Sequence, residues 1–507
     1  MVSPQLLTID FGTSGIKCMS FTIAGKATIQ QFTPITYLDS EGLMGIGKEF
    51  DATKTWAIIC RMIRACIRDA KLAPRNIIAI AATSQRHGAV FLDGKGEVLY
   101  SGPNLDARGV FVQDTVLQDL ESSCPPTGCW PPLLYSLCRL IWYKQNKPEI
   151  YKKIHHVLSI SDWIAYELTG KAVTDPSQAS NTQLMDIEKS VWSPEILEMA
   201  DVSVDLLPPI HHSGTLIGHI SNKASQATGL SPKTIVGVGG ADTQCALLGS
   251  AIIKPGQACV VAGNTAPIQL ITDHPIIDKT CKLWTGRFLI PKHWVIEANT
   301  GKVGEVLRWF VQNLIQPLTE IPTPQEAYAK VEALATQAEI GSHDAIALLG
   351  PQIMDAKDIA TVRPAMFMFP PPASPVVTPV TIHDLARALF ENICYAVRMN
   401  LNLIQQLAKI SLSSCTIAGG LAQSQFWQQV LADVTGLEIQ RGQEVEASSL
   451  GAAICAATAA NEYDTLPLAS KAMVKLQSSI HPRPEIRDKY NTYFTRWQAL
   501  YKQSANL

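Results

Sequence analysis

The stretch Asp10-Phe11-Gly12-Thr13-Ser14-Gly15 sets a carboxylate at the end of a β-rich run and follows it with hydroxyls and glycines. In a tight turn of that composition, backbone N–H groups and the Thr13 and Ser14 hydroxyls can point at phosphate oxygens while Asp10 holds hydrated Mg2+. An isolated turn of this kind is more often a plain hairpin. A second one, Ala262-Gly263-Asn264-Thr265-Ala266, changes the weight, because two opposed hairpins can grip a triphosphate from both sides. Further on, Gly419 and Gly420 lie between an apolar run and a helical pattern that starts near Ser424. Close backbone approach at glycine and the helix N-terminus there could hold adenine and the α-phosphate side of a nucleotide. Asp242 stands alone in the small and apolar run "GVGGADTQCALLG". A carboxylate in such a dry turn needs a partner or a metal.

Two glycine patterns are set aside. "GLMGIGKE" has P-loop spacing from Gly42 to Lys48, but Glu49 replaces the Ser or Thr that would hold magnesium. "GVGG" at Gly237 is not a GxGxxG fingerprint.

The elements that must position these residues alternate in type. "LLTIDFGTSGIKCMSFTIAGKATIQQF" predicts β-runs separated by turns at Asp10 to Gly15 and at Gly25, and "QACVVAGNTAPIQLIT" repeats the pattern. Two such hairpins, each opening one half of the chain, suggest a duplicated architecture. The apolar spacing of "WAIICRMIRACIRDAK", "VGEVLRWFVQNL", "TIHDLARALFENICYAVRMNLNLIQQL" and "SQFWQQVLADVTG" predicts helices, and "ASSLGAAICAATAA" a buried helix of small residues. "SDWIAYELTG" predicts a helix with Ser161 as N-cap and Gly170 at its end, and "NIIAIAATSQ" a strand. Strands alternating with helices give an α/β class. "FMFPPPASPVVTPVTIHD" is too rich in proline for regular structure. The 507 residues exceed one ordinary core, so two domains are expected, 1–252 and 253–507, with the boundary near Ile252 to Gly256.

Composition narrows the partners. With 42 basic against 44 acidic side chains and a net charge of -2, the chain has no electrostatic footprint for nucleic acid or an anionic membrane, which leaves small molecules. The 12 cysteines form no CxxC, and the spacing of Cys124 to Cys129 suits neither a zinc ribbon nor a redox motif. Reduced core thiols in a cytoplasmic chain are the expectation. No apolar stretch reaches the roughly 20 residues of a membrane span, and the N-terminus lacks a basic region before an apolar one.

In this order, the motifs resemble the FGGY carbohydrate kinases, a branch of the actin, hexokinase and Hsp70-like ATPases. The match lies in Asp10, Gly12 and Thr13; Gly239, Gly240 and Asp242; Gly263, Asn264 and Thr265; Gly419, Gly420, Ser424 and Gln425; and Glu446 with Gly451. It spans essentially the whole chain, and five motifs in series are far more specific than any one. The resemblance implies two ribonuclease H-like (actin-like ATPase) domains with a cleft between them, and ATP-dependent phosphorylation of a sugar hydroxyl. It makes Asp242 the catalytic base and assigns nucleotide contacts to Asp10, Gly12, Thr13, Ser14, Gly263, Asn264, Thr265, Gly304, Gly419, Gly420 and Ser424. Mg2+ would be held through Asp10 and Asp242. The acceptor pocket would draw on Gln85, Arg86, His87, Asp106, Arg108, Asp242 and Thr243, with Trp130 and Asn181 as further members. For Asp106 and Arg108, a salt bridge within a surface turn is the competing reading.

The branch is harder to fix. "QRHG" mixes a xylulokinase-like Gln-x-His-Gly with a glycerol kinase-like Arg, whereas "NLDARG", "ISDWIAYELTG", "DPSQASNTQLMDI" and "FWQQVLADVTGL" are similar to autoinducer-2 kinases, which act on linear dihydroxypentanedione. "QRHG" and "GPQIMDAKD" depart from the patterns usual in that branch. The expected acceptor is thus a five-carbon keto compound; D-xylulose, ribulose, glycerol or another polyol stay open, as does a nucleotide-dependent binding module without sugar kinase activity. A homodimer stays open as well.

Overall fold

A computed structural model of the chain describes residues 4–112, 124–130, 132–316, 324–358, 363–371 and 378–504. Two compact units emerge. Unit 1 comprises Met1–Pro255, Ile271–Ile296 and Gly442–Lys475; unit 2 comprises Gly256–Leu270, Glu297–Arg441 and Leu476–Leu507.

The strands of unit 1 that position candidate residues are, in chain order, β1 (Gln5–Phe11), β2 (Gly15–Thr22), β3 (Ala27–Pro34), β4 (Ile77–Ser84), β5 (Ala89–Asp93), β6 (Val98–Gly102), β7 (Ile154–Ser159), β8 (Leu216–His219) and β9 (Ile235–Ala241). One six-stranded sheet runs β8-β9-β4-β1-β2-β3. β1, β2 and β3 form an antiparallel meander, while β4 and β9 continue parallel to β1. Leu7, Ile9 and Phe11 of β1 are fully buried and pack with Ile59 and Ile63 of the helix Ala52–Asp69 and with Trp163. Each such side chain contributes about 1.5–3 kcal/mol relative to exposure. A smaller antiparallel sheet, β6-β5-β7, carries the chain away from the end of β4.

A second six-stranded sheet contains β10 (Ala258–Val261), β11 (Thr265–Thr272), β12 (Trp284–Arg287), β13 (Trp294–Lys302), β14 (Ser414–Ala418) and β15 (Glu438–Arg441), in the order β12-β13-β11-β10-β14-β15. β10 and β11 make the antiparallel hairpin, and β14 and β15 continue parallel to β10. The duplicated architecture expected from the two glycine-turned hairpins is therefore present over five strands, β9-β4-β1-β2-β3 corresponding to β15-β14-β10-β11-β13, with β8 and β12 as extra edge strands.

The expected helices form at Ala52–Asp69, Gly304–Phe310, Ile382–Ala408, Gln425–Thr435 and Ala447–Ala459. One cap is corrected. The helix Ile160–Thr169 starts two residues earlier than expected, with Ser159 rather than Ser161 as N-cap, because only Ser159 has an acid three residues on, and Asp162 closes a reciprocal capping box. Gly170 ends it in the left-handed conformation, as expected. Of the proline-rich run, residues 372–377 lie outside the described residues. The eleven cysteines whose side chains are described are all unbridged, and of these only Cys281 is not buried. Among the described residues, no helix is long and apolar enough to cross a membrane.

Candidate active site

Strand register places the two key carboxylates of unit 1. Thr83 on β4 pairs with Asp10 on one side and with Gly240 on the other, so Asp10 and Asp242 emerge at the same carboxyl-terminal edge of three parallel strands. Ligands bind at that edge in open α/β sheets. Asp242 is the first residue of the helix Asp242–Leu248, half-buried, and its Oδ1 accepts the Thr243 N–H at 2.7 Å. The peptide that carries it is pinned twice. Ala241 N–H donates to Ser177 Oγ at 2.9 Å, and Thr83 Oγ1 donates to the Gly240 carbonyl at 2.8 Å. Gly239 is required here, since a Cβ would sit 1.8 Å from the Ala82 carbonyl oxygen.

Asp10 is buried, and burial pushes its carboxyl up to about 6; Lys17 pulls it down, Glu446 pushes it up and a 3.4 Å contact from Ser449 pulls it down again. Lys17 lies directly opposite Asp10 across the hairpin and forms an ion pair with Glu446, the residue preceding the helix Ala447–Ala459. Burial alone would lower the Lys17 ammonium, but Asp10, Glu446 and Asp242 more than reverse it. Three carboxylates thus share one cation.

The turn between β1 and β2 is closed by Gly12 N–H to the Gly15 carbonyl at 3.0 Å, which leaves Thr13 half-buried and Ser14 exposed at its tip. Tyr37 O–H donates to the Thr13 carbonyl and Asn104 Nδ2 donates to Thr13 Oγ1, each at 2.9 Å. Gln85 completes the network: its Oε1 accepts from Asn104 N–H at 2.9 Å and its Nε2 donates to the Tyr37 hydroxyl at 3.1 Å. Gln85 is therefore buried as a brace between the turn and the acceptor segments.

His87 has the marks of a ligand-facing group. It is buried at a φ of 63°, and its Nδ1 has no hydrogen-bond partner. Burial, with Arg86 and Arg139 adding, holds its imidazole well below its usual range, so it is neutral. Its ring stands edge-on to Tyr135 and Trp284 at 4.9 and 5.8 Å, and Arg86 lies 5.9 Å over the Trp284 ring. The Trp130 carbonyl accepts from Trp284 Nε1, Asn181 Nδ2 donates to the Ser177 carbonyl at 2.7 Å, and Thr243 Oγ1 donates to Gln244 Oε1 at 2.8 Å.

Asp106 and Arg108 form the ion pair of the competing reading, at 2.7 Å, but in the interior rather than on a surface turn. Arg108 also binds Glu49, Ser40 and Tyr143, and its guanidinium lies among the Tyr100, Trp142 and Tyr143 rings. Tyr100 donates to Asp106. With its donors so occupied, the pair braces the loop. Arg139, absent from the sequence reading, binds the carbonyls of His87, Pro103 and Asp106 and so fixes both acceptor segments.

In unit 2, Gly263 N–H donates to the Thr265 carbonyl at 2.9 Å, and the Asn264 carbonyl accepts from Val303 and Gly304 N–H at 2.9 and 3.0 Å. Asn264 Oδ1 accepts from Arg308 at 3.2 Å. The turn is thus backed by the start of the helix Gly304–Phe310. Gly419, at a φ of 89°, lies against β10, where a Cβ would meet the Ala262 carbonyl at 2.5 Å. Gly420 begins a single 3-10 turn, and Ser424 caps the helix Gln425–Thr435 by accepting Trp427 N–H at 3.0 Å. The phosphate-type turn and the Gly-Gly turn are neighbours, since Leu421 N–H reaches the Ala262 carbonyl at 3.3 Å.

The N-terminal domain of the FGGY family of carbohydrate kinases matches residues 5–249, and its C-terminal domain matches residues 258–460. The chain belongs to this family. FGGY members are ATP-using phosphotransferases with an alcohol acceptor, and so is this one. The autoinducer-2 kinase of Klebsiella pneumoniae subsp. pneumoniae is 29% identical over 99% of this chain and 94% of its own length; that of Enterobacter sp. (strain 638) is 28% identical over 99% and 95%. In fold, the chain is similar to a xylulose kinase from Lactobacillus acidophilus (TM-score 0.84, 20% identity, 99% and 98% covered). It is equally similar to Plasmodium falciparum glycerol kinase (TM-score 0.84, 18% identity, 99% and 98% covered).

For an FGGY kinase the donor set around Lys17 suits hydrated Mg2+. Among the described residues, no three His, Cys, Asp or Glu side chains form a cage, and Mg2+ characteristically takes one or two carboxylates, water and phosphate oxygens instead. Lys17, Tyr37, Asn104 and Ser177 escaped the sequence reading. Lys17 alone carried a signal, being a charge within an apolar β-run and in register with Asp10 across a short turn. Asn104→Ala is expected to raise the KM for ATP by about three- to tenfold, the effect of one partly buried hydrogen bond on Thr13. Steady-state kinetics at saturating acceptor checks this, and an unchanged KM would remove Asn104 from the brace.

Proposed function

We propose that this kinase transfers the γ-phosphate of Mg-ATP to a hydroxyl of a small five-carbon keto compound of the dihydroxypentanedione type, with Asp242 as general base. The observation that carries the reading is the register that sets Asp10 and Asp242 at one sheet edge, with Lys17 within electrostatic reach of both. Asp242, held at the start of its helix, accepts the proton of the attacking hydroxyl. Asp10, with water, would hold Mg2+, which would supply charge to offset that of the phosphate oxygens. Thr13 and Ser14 in unit 1, and Gly263, Asn264 and Thr265 in unit 2, present turn N–H groups and hydroxyls suited to phosphate, and Gly419, Gly420 and Ser424 to the adenosine end. Neutral His87 offers Nδ1 to the acceptor, with Arg86 beside it. The autoinducer-2 kinases among the relatives support the choice of acceptor.

A coupled ADP assay over dihydroxypentanedione, D-xylulose, D-ribulose, pentitols and glycerol tests the reading. The highest kcat/KM is expected with dihydroxypentanedione. A pentulose or glycerol in first place would move the acceptor, and no stimulation by any compound would favour a nucleotide-dependent binding module.

A further inference from the structure

Most buried arginines of this chain are paired. Arg108 binds Asp106 and Glu49, and Arg387 binds Glu391, Tyr490 and the Ala338 carbonyl. Arg287 differs. It is 5% exposed, its Nε is buried without a hydrogen bond, and its guanidinium has no hydrogen-bond or acidic partner among the described residues. The Trp294 ring covers one face of the guanidinium at 4.1 Å, a contact that engages none of the in-plane N–H donors. Burial lowers its pKa to about 10, so it stays charged at neutral pH. A buried, charged fork with a covered face and an unpartnered Nε lacks one component, a planar or tetrahedral oxyanion that can take parallel N–H bonds.

Its backbone borders the acceptor segments of unit 1. Arg287 N–H donates to Ser180 Oγ at 3.0 Å, and the next residue, Asn181, meets the His87 ring through its backbone. Three residues before Arg287 on β12, about 10 Å along the strand and with its side chain on the opposite face, Trp284 stands against His87. We propose that Arg287 is an oxyanion-binding residue beside the acceptor segments, taking the oxygen pair of a carboxylate or a phosphate. The anion can come from a carboxylate on the acceptor, an arm that rests on the kinase reading, or from free phosphate, an arm that does not.

The test titrates wild type, Arg287→Gln and Arg287→Lys with inorganic phosphate and with a five-carbon aldonate. Calorimetry and thermal shift are read without nucleotide at constant ionic strength. Wild type is expected to bind at least one of the two saturably, Arg287→Gln to lose about tenfold or more in affinity, and Arg287→Lys to fall between. If the aldonate binds through Arg287 and is phosphorylated, and Arg287→Gln lowers its kcat/KM but not that of a neutral pentulose, the acceptor carries the anion. If phosphate alone binds, the site takes a free anion. Absence of saturable binding to wild type, or equal binding by Arg287→Gln, overturns the proposal. Should Arg287→Gln fail to fold, undiminished affinity in Arg287→Lys overturns the forked contact. Because binding is read without turnover, failure of Asp242 as the base would leave this result standing.

Discussion

Asp242→Asn is expected to lower kcat by about 10²–10⁴-fold, the usual contribution of a general base, with the Kd for ATP within about twofold of wild type. The amide keeps the oxygen that accepts Thr243 N–H, and the Ser177 and Thr83 contacts to the preceding peptides do not involve the side chain. The substitution therefore removes charge and basicity while leaving the helix start intact. Single-turnover kinetics separates the chemical step from binding. A variant that keeps kcat within about threefold of wild type would take Asp242 out of proton transfer.

Asp10→Asn is expected to divide stability from activity. In the folded protein the Asp10 carboxyl is raised from 3.8 to about 6, chiefly by burial. Below its unfolded pKa the group is protonated in both states, and wild type and variant are then equal in this respect. As pH rises towards about 6 the unfolded chain releases the proton and the folded one retains it, so wild-type stability falls through that window and levels off above it. At neutral pH the ionised, buried carboxylate costs on the order of 3 kcal/mol. Asp10→Asn should recover about 1–3 kcal/mol of it, since Lys17 keeps Glu446. The same change removes the carboxylate proposed to hold Mg2+, so phosphoryl transfer should collapse. Urea denaturation of both proteins at about pH 4 and about pH 7 tests the sign. A gap that is absent at neutral pH, or larger in acid, would contradict the burial argument, and retained activity would contradict the metal role.

These two residues were legible in the sequence for a simple reason. Acids are scarce in runs of small and apolar residues, and a glycine-rich turn after a β-run restricts what an acid there can do. Tyr37, Asn104 and Arg139 were not legible, because each acts on a segment distant in the chain: Asn104 on Thr13, Tyr37 on Gln85, and Arg139 on His87. Their residue types are ordinary, and only the folded chain brings them to their partners. Asp106 and Arg108 show the opposite case, since pairing could be read from their spacing but enclosure by three aromatic rings could not.

The local pattern of the chain determined the hairpins, the alternation of strands and helices, the family and the acids that matter, because turn chemistry and apolar period are written in adjacent residues. Tertiary structure alone decided that Ile271–Ile296 and Gly442–Lys475 return to unit 1. Through those returns Glu446 meets Lys17, Ser449 meets Asp10, and Trp284 meets His87. Charge balance and burial depend on such distant contacts, which is why the raised Asp10 carboxyl, the neutral His87 and the unpaired Arg287 emerge only once the chain is folded.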